Sequence, residues 1–430
     1  MKKILVRGPA FSRSGYGEQT RFALRALRAH QDRFDIYLYP VGWGQTGWIY
    51  EDSEERKWMD SLVSKAYIYG QQNGQYDISL QVTIPNEWER LAPVNIGYTA
   101  GIETNRVAPV WIEKSSIMDK IIVVSNHSKQ VYEKSIYSIT AENPPRMMTV
   151  PPKDVNIART LKCETPIEVV NYSVRDIKAK KLDLKLDCDF NFLTMAQWGP
   201  RKNLENTIKW FVEEFHDDEV GLVAKVSIKN NCTMDRQQTY NGIQNLLKAY
   251  PERKCKVQLL HGDMTEEEII GLYLNSKIKS LINISHGEGY GLPMFEAAYN
   301  GLPVVAPNWS GQNDFLYAPE KDKKGKEKMR PHFGNVDYVL QPVQQAAVWP
   351  GVIEQDSMWC YAHEGSYKNT LRNMYKNYGQ YKKRATKLKK YLIENFTEEN
   401  QYKKFADFIL PEENFEIDQW LNNLDIQETT

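Results

Sequence analysis

Ten short apolar runs, spaced by amphipathic stretches, constrain this chain more than any other feature. "KKILV", "DIYLYPV", "DISLQVTI", "NIGYTA" and "KIIVVS" occupy the first part. "NFLTMA", "VGLVAKVS", "KVQLLHG", "KSLINIS" and "LPVVAP" occupy the second. Each has the length and β-branched character of a buried strand. The stretches Glu18–Arg28 and Leu204–Glu214, lying between such runs, carry helical spacing. Strands that alternate with helices fold as parallel sheets covered on both faces. At 430 residues the chain is too long for one core. The reading is therefore α/β, with one such sheet in each half.

The strand rhythm pauses near 160–185. There "ENPPRMMTVPPKDVN" and "RDIKAKKLDLKLDCD" bring prolines and charges. This predicts a first unit over 1–175, a second over 176–395, and a terminal helical segment within 396–430. The basic run "KDKKGKEKMRPHFG" reads as a solvated loop, and Tyr367–Lys390, rich in lysine, arginine and tyrosine, has helical spacing. Lysine plus arginine equals aspartate plus glutamate, 55 of each, so no global field recruits a polyanion. No apolar run reaches membrane-span length. "MKKILVRGPAF" reads as a first strand and not as a signal peptide, so a cytoplasmic location is expected. The five cysteines are scattered with no metal-ligand spacing, which predicts idle or buried thiols and no metal centre.

The chemistry concentrates in "SHGEGYGLPMFEAAYNGLPVV", Ser285 to Val305. A strand runs into a glycine-rich turn, and a helix follows with a proline near its start and Gly301 after its end. Parallel sheets bind ligands beyond the carboxyl ends of their strands, where glycine admits close backbone approach and a helix start offers free N–H groups. Glu288 on the turn can face such a ligand. Glu296, in the helix's second turn, can accept from vicinal hydroxyls, as on a ribose. Upstream, "NFLTMAQWGPRKNLENTIKWF" places Arg201 and Lys202 at a strand-to-helix junction, where paired cations can neutralise a diphosphate. Near the start, "RGPAFSRSGYGEQTRFALRAL" gives a second glycine-rich mouth at Gly15, Tyr16 and Gly17. As a dinucleotide fingerprint it lacks the third glycine.

The run from Glu288 resembles the E-x7-E motif of retaining glycosyltransferases of the GT-B fold, specifically their family 4. There it usually reads "EGFGLPxxEAMAxGxPVV"; Tyr290 stands here in place of the phenylalanine. The resemblance implies two Rossmann-like domains whose parallel sheets face each other across a cleft, with a late helix crossing back onto the first domain. It implies a nucleoside diphosphate sugar, most commonly of uridine, as co-substrate, with no cofactor and no metal. Lys202 matches the lysine that binds the donor diphosphate. The family's earlier arginine is Gln197 here, which leaves Arg201 as the second cation. Gly289, Tyr290, Gly291 and Leu292 would meet the diphosphate through their backbone, and Glu288 the sugar hydroxyls. "KVQLLHGDMTEEEIIGLY" matches the segment that flanks the base, through backbone around His261–Met264, and Lys225 matches a less specific position. "NIGYTAGIETNRVAPVWIEKSSIMDKIIVVSNHSKQVYE" also fits, and puts Glu103 where an acceptor contact or base would stand; the alternative is a loop acid paired with Arg106. His127 reads as a helix-start residue. "DCD" at Asp187–Asp189 spells the metal motif of the other glycosyltransferase fold, but it precedes a strand and reads as linker.

The first half, with "VTIPNEWERLAPVNIGYTAGIETNRVAP", resembles glycosyltransferases of large tailed phages. That implies hydroxymethylated cytosine in duplex DNA as acceptor, in the host cytoplasm, with the basic segments 321–330 and 367–390 holding the DNA backbone. Glycan or lipid-linked acceptors, a sugar-nucleotide epimerase or phosphorylase of similar fold, and a silent sugar-nucleotide-binding protein are the alternatives.

Overall fold

The computed structural model describes residues 1–139 and 159–412. All ten apolar runs are strands. In the first half they build a six-stranded parallel sheet in the order Phe34–Pro40, Lys2–Gly8, Ile78–Val82, Val94–Thr99, Lys120–Val123 and Ile167–Val169. The second sheet runs Lys256–Leu260, Gly221–Ser227, Asn191–Gln197, Ile278–Ile282, Val304–Pro307 and Gly334–Val336, again parallel throughout. Helices cover both sheets, so the central strands are buried on both faces, while the edge strand Lys256–Leu260 is only partly covered. Ile4, Val6, Leu80, Ile96, Tyr98, Phe192, Leu193, Leu222 and Ile282 are all inaccessible to solvent.

Each sheet winds outward from its first strand, and the order of connection reverses beside that strand. In the first sheet the reversal lies between Lys2–Gly8 and Ile78–Val82. In the second it lies between Asn191–Gln197 and Ile278–Ile282. A reversal leaves a crevice at the carboxyl ends of the two strands, because successive helices depart to opposite faces.

Helix Gly15–Ala29 begins where Ser14 accepts from the backbone N–H of Gly17 at 3.0 Å. Its apolar stripe of Phe22, Ala23, Ala26 and Leu27 is buried. Part of that stripe is covered from far along the chain, by helix Glu398–Ile409. The Phe22 ring lies 5.8 Å from Phe405 and 5.4 Å from Tyr402. Arg33, buried in the first half, donates to Asp407 at 2.8 Å and to the Leu410 carbonyl at 3.2 Å.

The basic run at 321–334 differs from the solvated loop expected of it. It supplies part of an antiparallel hairpin, Tyr317–Lys321 with Glu327–Pro331, whose second strand is exposed throughout. The first strand anchors the hairpin: Ala318 is buried in the core, and the Tyr317 ring lies 5.9 Å from that of the buried Phe333. Tyr367–Lys390 falls on two helices, Glu364–Lys376 and Tyr378–Asn395. Asp187–Asp189 lies in the irregular chain before strand Asn191–Gln197. The proline-rich part of the expected boundary, residues 142–156, lies outside the described residues. No described helix is long and apolar enough to cross a membrane.

Candidate active site

The crevice of the second sheet gathers four of the residues singled out above. Strand Asn191–Gln197 ends in a single turn, Pro200–Lys202, and strand Ile278–Ile282 runs on to the glycine-rich turn at Gly287. These are the two strands that flank the reversal, so the topology brings Arg201, Lys202 and Glu288 together. The Lys202 ammonium donates to both Glu288 oxygens at 2.6 and 2.8 Å, and Arg201 Nη1 donates to Oε2 at 3.1 Å. Asn283 and Ser285 complete the carboxylate's partners at 3.1 and 2.9 Å, and the Glu288 backbone N–H donates to Ser310 Oγ at 2.9 Å. Burial would raise the Glu288 carboxyl. The Lys202 and Arg201 charges and the Lys202 and Asn283 hydrogen bonds more than reverse this and hold it at about 2. Lys202 is pulled the other way: burial and the neighbouring Arg201 lower its pKa against the attraction of Glu288.

Glu103 arrives from the opposite half. Its Oε1 lies 3.3 Å from Arg201 Nη1, while Arg106 is paired with Asp356. The pairing of Glu103 with Arg106 that the sequence left open is therefore not made. Arg201 bridges a carboxylate from each half, and its own pKa rises under Glu103 and Glu288 despite burial. The halves meet closely here. A Cβ on Gly287 would stand 2.5 Å from the Glu103 carbonyl oxygen, and one on Gly289 would stand 2.5 Å from that of Ala100. Glycine is required at both because the obstacle is backbone, which cannot rotate away. Ser125 Oγ donates to the Gly289 carbonyl at 2.7 Å, and Trp309 Nε1 donates to the Glu103 carbonyl at 3.2 Å.

Beyond Gly291, which has φ 98°, helix Leu292–Tyr299 starts with no side-chain cap. Its N–H groups point to the turn. On its far side opens a cavity of about 620 Å³ between the halves. Ser14, Arg13, Met264, Leu292 and Glu296 are among its lining residues. Glu296 accepts from the Tyr273 hydroxyl at 2.9 Å. Burial, then the negative charges of Glu18 and Glu266, push its carboxyl up to about 7. The cavity wall is strongly charged: Arg25 pairs with Glu18 and Glu55, and Arg175 pairs with Glu266, with Glu18 4.0 Å away.

The remaining candidates are placed as follows. Gly15 and Gly17 flank Tyr16, whose hydroxyl lies 2.8 Å from Thr99 Oγ1. Gly17 packs against the Ser12 carbonyl, while Gly15 has open space where a Cβ would be. The His261 ring faces Asp235 at 3.0 Å, away from the cavity, so only backbone remains to it there. The Met264 carbonyl accepts from Arg13 Nη1 at 3.1 Å, and Lys225 donates to the Gly262 carbonyl at 2.6 Å. Tyr290 is buried among Tyr172, Phe295 and Phe315 and serves as packing beneath the turn. His127 packs edge-on against Trp309 at 5.1 Å, and burial lowers its pKa to about 4.

Sequence reasoning missed Asn283, Ser285 and Ser310, which orient Glu288, and the cavity arginines Arg13, Arg25 and Arg175. Ser285 stood in the quoted motif and Arg13 and Arg25 in the quoted N-terminal run. Ser310, Arg13 and Arg175 meet partners far along the chain, so no local pattern marks them, whereas Asn283 and Ser285 stand five and three residues from Glu288 and Arg25 seven from Glu18. Among the described residues, no group of three or more histidines, cysteines or acids is placed to hold a metal ion.

No protein-family model matches the chain, and no curated relative matches it. Solved structures do. The chain is similar to a sucrose-phosphate synthase from Thermosynechococcus elongatus at 11% identity and TM-score 0.60, over 95% of this chain and 98% of that one. The lipopolysaccharide outer core galactosyltransferase WaaB matches at 11% identity and TM-score 0.53, over 95% and 98%. HepE of Anabaena, solved with UDP and glucose, matches at 12% identity and TM-score 0.51, over 95% and 99%. The architecture is GT-B: two Rossmann-like units with parallel sheets across a cleft.

Proposed function

We propose that this protein is a retaining glycosyltransferase that moves a sugar from a uridine diphosphate sugar to an acceptor hydroxyl. The observation that carries the reading is the convergence of Lys202 and Arg201 on Glu288 at the second sheet's reversal, with Glu103 facing them from the other half. Support for the donor comes from HepE, a structure of the same fold that was solved with UDP and glucose.

In this reading the base and ribose occupy the cavity beside Met264 and Glu296. The ribose hydroxyls donate to the Glu296 carboxylate. The diphosphate lies over the Gly289–Leu292 turn, where backbone N–H groups, Lys202 and Arg201 meet its charge. The bond between the anomeric carbon and the phosphate oxygen breaks, and its electron pair leaves with the diphosphate. The cations stabilise that charge as it develops. The acceptor oxygen bonds to the anomeric carbon on the same face, and its proton passes to a diphosphate oxygen. Glu288 fixes sugar hydroxyls and Glu103 holds the acceptor hydroxyl. They are too committed to positioning to form an acid and nucleophile pair. The positive charge comes from side chains, so the reading assigns no metal.

Hydroxymethylated cytosine in duplex DNA and a neutral glycan or lipid-linked hydroxyl are the acceptor classes to separate. For the first stand the exposed lysines of the hairpin and of helix Tyr378–Asn395, although Lys387 is already paired with Glu320 and Lys328 with Asp322. The test incubates the protein with a panel of uridine diphosphate sugars and both acceptor classes. Mass spectrometry detects product, and proton NMR couplings give its anomeric configuration. A new glycoside with the donor's configuration is expected. An isomerised donor formed without acceptor, or an inverted product, would refute the retaining transferase.

A further inference from the structure

The loop Val41–Tyr50 leaves the carboxyl end of strand Phe34–Pro40, beside the first sheet's crevice, and it carries more aromatic surface than packing requires. Trp48 is 41% exposed, Tyr50 82% and, at the loop's root, Tyr39 57%. Trp43 is half-buried against Tyr16, ring centroids 4.3 Å apart. The loop is nevertheless tied down. Arg13 N–H donates to the Gly47 carbonyl and Ile49 N–H to the Phe11 carbonyl, both at 2.9 Å. Thr46 Oγ1 donates to the Trp43 carbonyl at 2.9 Å and lies 2.7 Å from Ser12 Oγ. Trp48 stacks on Phe11 at 6.1 Å and 13°. Its rings are therefore held in place while much of their area faces water, an arrangement that favours a ligand with an apolar face.

A continuous line of contacts leads from these rings to the reacting centre. Trp43 rests on Tyr16, and the Tyr16 hydroxyl meets Thr99. The Thr99 hydroxyl accepts from Gly101 N–H at 3.3 Å. Glu103 follows two residues on and pairs with Arg201. The charge beside the loop decides the class of ligand. The four carboxylates of residues 51–55 each face a cation: Glu51 pairs with Arg13, Glu55 with Arg25 at 3.1 Å, and Lys57 lies 3.6 Å from Asp52 and 3.3 Å from Glu54. With its cations already paired, this edge offers a polyanion no free positive charge, whereas a neutral polyol needs none.

We infer that the loop Val41–Tyr50 is a binding platform for a neutral saccharide, with Trp43 and Trp48 stacking on pyranose faces and Glu103 accepting from a hydroxyl at the inner end. The C–H face of a pyranose carries partial positive charge that matches the negative face of an indole. Calling this saccharide the acceptor rests on the transferase reading; its binding does not.

The test measures binding directly, by saturation-transfer NMR with soluble oligosaccharides of glucose, galactose and N-acetylglucosamine, with calorimetry of UDP run separately. At least one oligosaccharide should bind, with affinity weakened about five- to tenfold in Trp43→Ala and Trp48→Ala and largely kept in Trp48→Phe. Trp349→Ala, at an exposed tryptophan elsewhere, should change nothing. Absence of binding by every oligosaccharide overturns the platform, as does undiminished binding in both alanine variants. Failure of the parent to bind UDP, with saccharide binding intact, instead removes the donor assignment and leaves the platform standing.

Discussion

Replacing Glu296 by glutamine separates what this residue costs the free protein from what it contributes to a ligand. Its carboxyl is pushed from 4.5 to about 7 by burial and by Glu18 and Glu266. That difference of 2.5, at about 1.36 kcal/mol each, disfavours the ionised form in the fold by about 3 kcal/mol, a ceiling because one side of the group faces the cavity. Between pH 4.5 and 7 the native chain keeps a proton that the unfolded chain has lost. Stability therefore falls as pH rises through that window and stays lower above it. Glutamine has no proton to lose. In urea melts, Glu296→Gln should match the parent near pH 4 and exceed it at pH 8 by up to about 3 kcal/mol. Nucleotide binding should move the other way. Ribose hydroxyls donate to a carboxylate, so UDP affinity of the parent should rise with pH toward 7 and above, with a proton released on binding. Calorimetry in two buffers of different ionisation enthalpy reads that proton. A glutamine variant less stable than the parent at pH 8, or UDP binding without proton release near pH 6, would refute the reasoning.

Three further outcomes follow from the geometry. Lys202→Ala should weaken UDP-sugar binding by about 1.5–3 kcal/mol, because a charge-assisted phosphate contact is lost; unchanged affinity by calorimetry would take the residue out of the donor site. Gly287→Ala should cost about 1–3 kcal/mol in thermal melts and depress transfer, since its Cβ would stand 2.5 Å from the Glu103 carbonyl oxygen; a variant with parental melting and kcat/KM would show that the halves do not meet this closely. Phe405→Ala should lose about 3–5 kcal/mol in urea unfolding, as its ring is fully buried against Phe22; a loss below 1 kcal/mol, roughly, would mean the late helix is not docked on the first half.

The central strands were legible because residues on both of their faces are buried, as in Ile78–Val82 and Val304–Pro307, which writes an apolar run into the sequence. Leu204–Glu214 was legible to its ends, since Leu204, Ile208, Phe211 and Val212 repeat at helical spacing. The edge strands Ile167–Val169 and Gly334–Val336 were not, because three residues carry no period and their pairing is set by a neighbour already in place. Helix Thr233–Leu247 escaped for a different reason. It buries only Asp235, Thr239, Ile243 and Leu247, a stripe half polar in composition. In the site, Glu288, Arg201 and Lys202 could be named individually because each stands on a local strand-to-helix junction. Their mutual contact, and the reach of Glu103 across to Arg201, depend on which strands flank the reversal. That order is a property of the whole sheet, and no window of sequence contains it.

The docking of helix Glu398–Ile409 on helix Gly15–Ala29 sets a schedule for the chain during its synthesis. The first sheet can pair as soon as its strands leave the ribosome, but the flank of Phe22 waits for a cover that emerges several hundred residues later. At cellular rates of elongation that interval is on the order of tens of seconds. Throughout it a nascent first half presents the part of that stripe which Tyr402 and Phe405 will cover, with only Tyr172 against Phe22 in the meantime. The same arrangement ties maturation of the first half to completion of the second, so a polypeptide stalled midway cannot acquire a finished first half on its own.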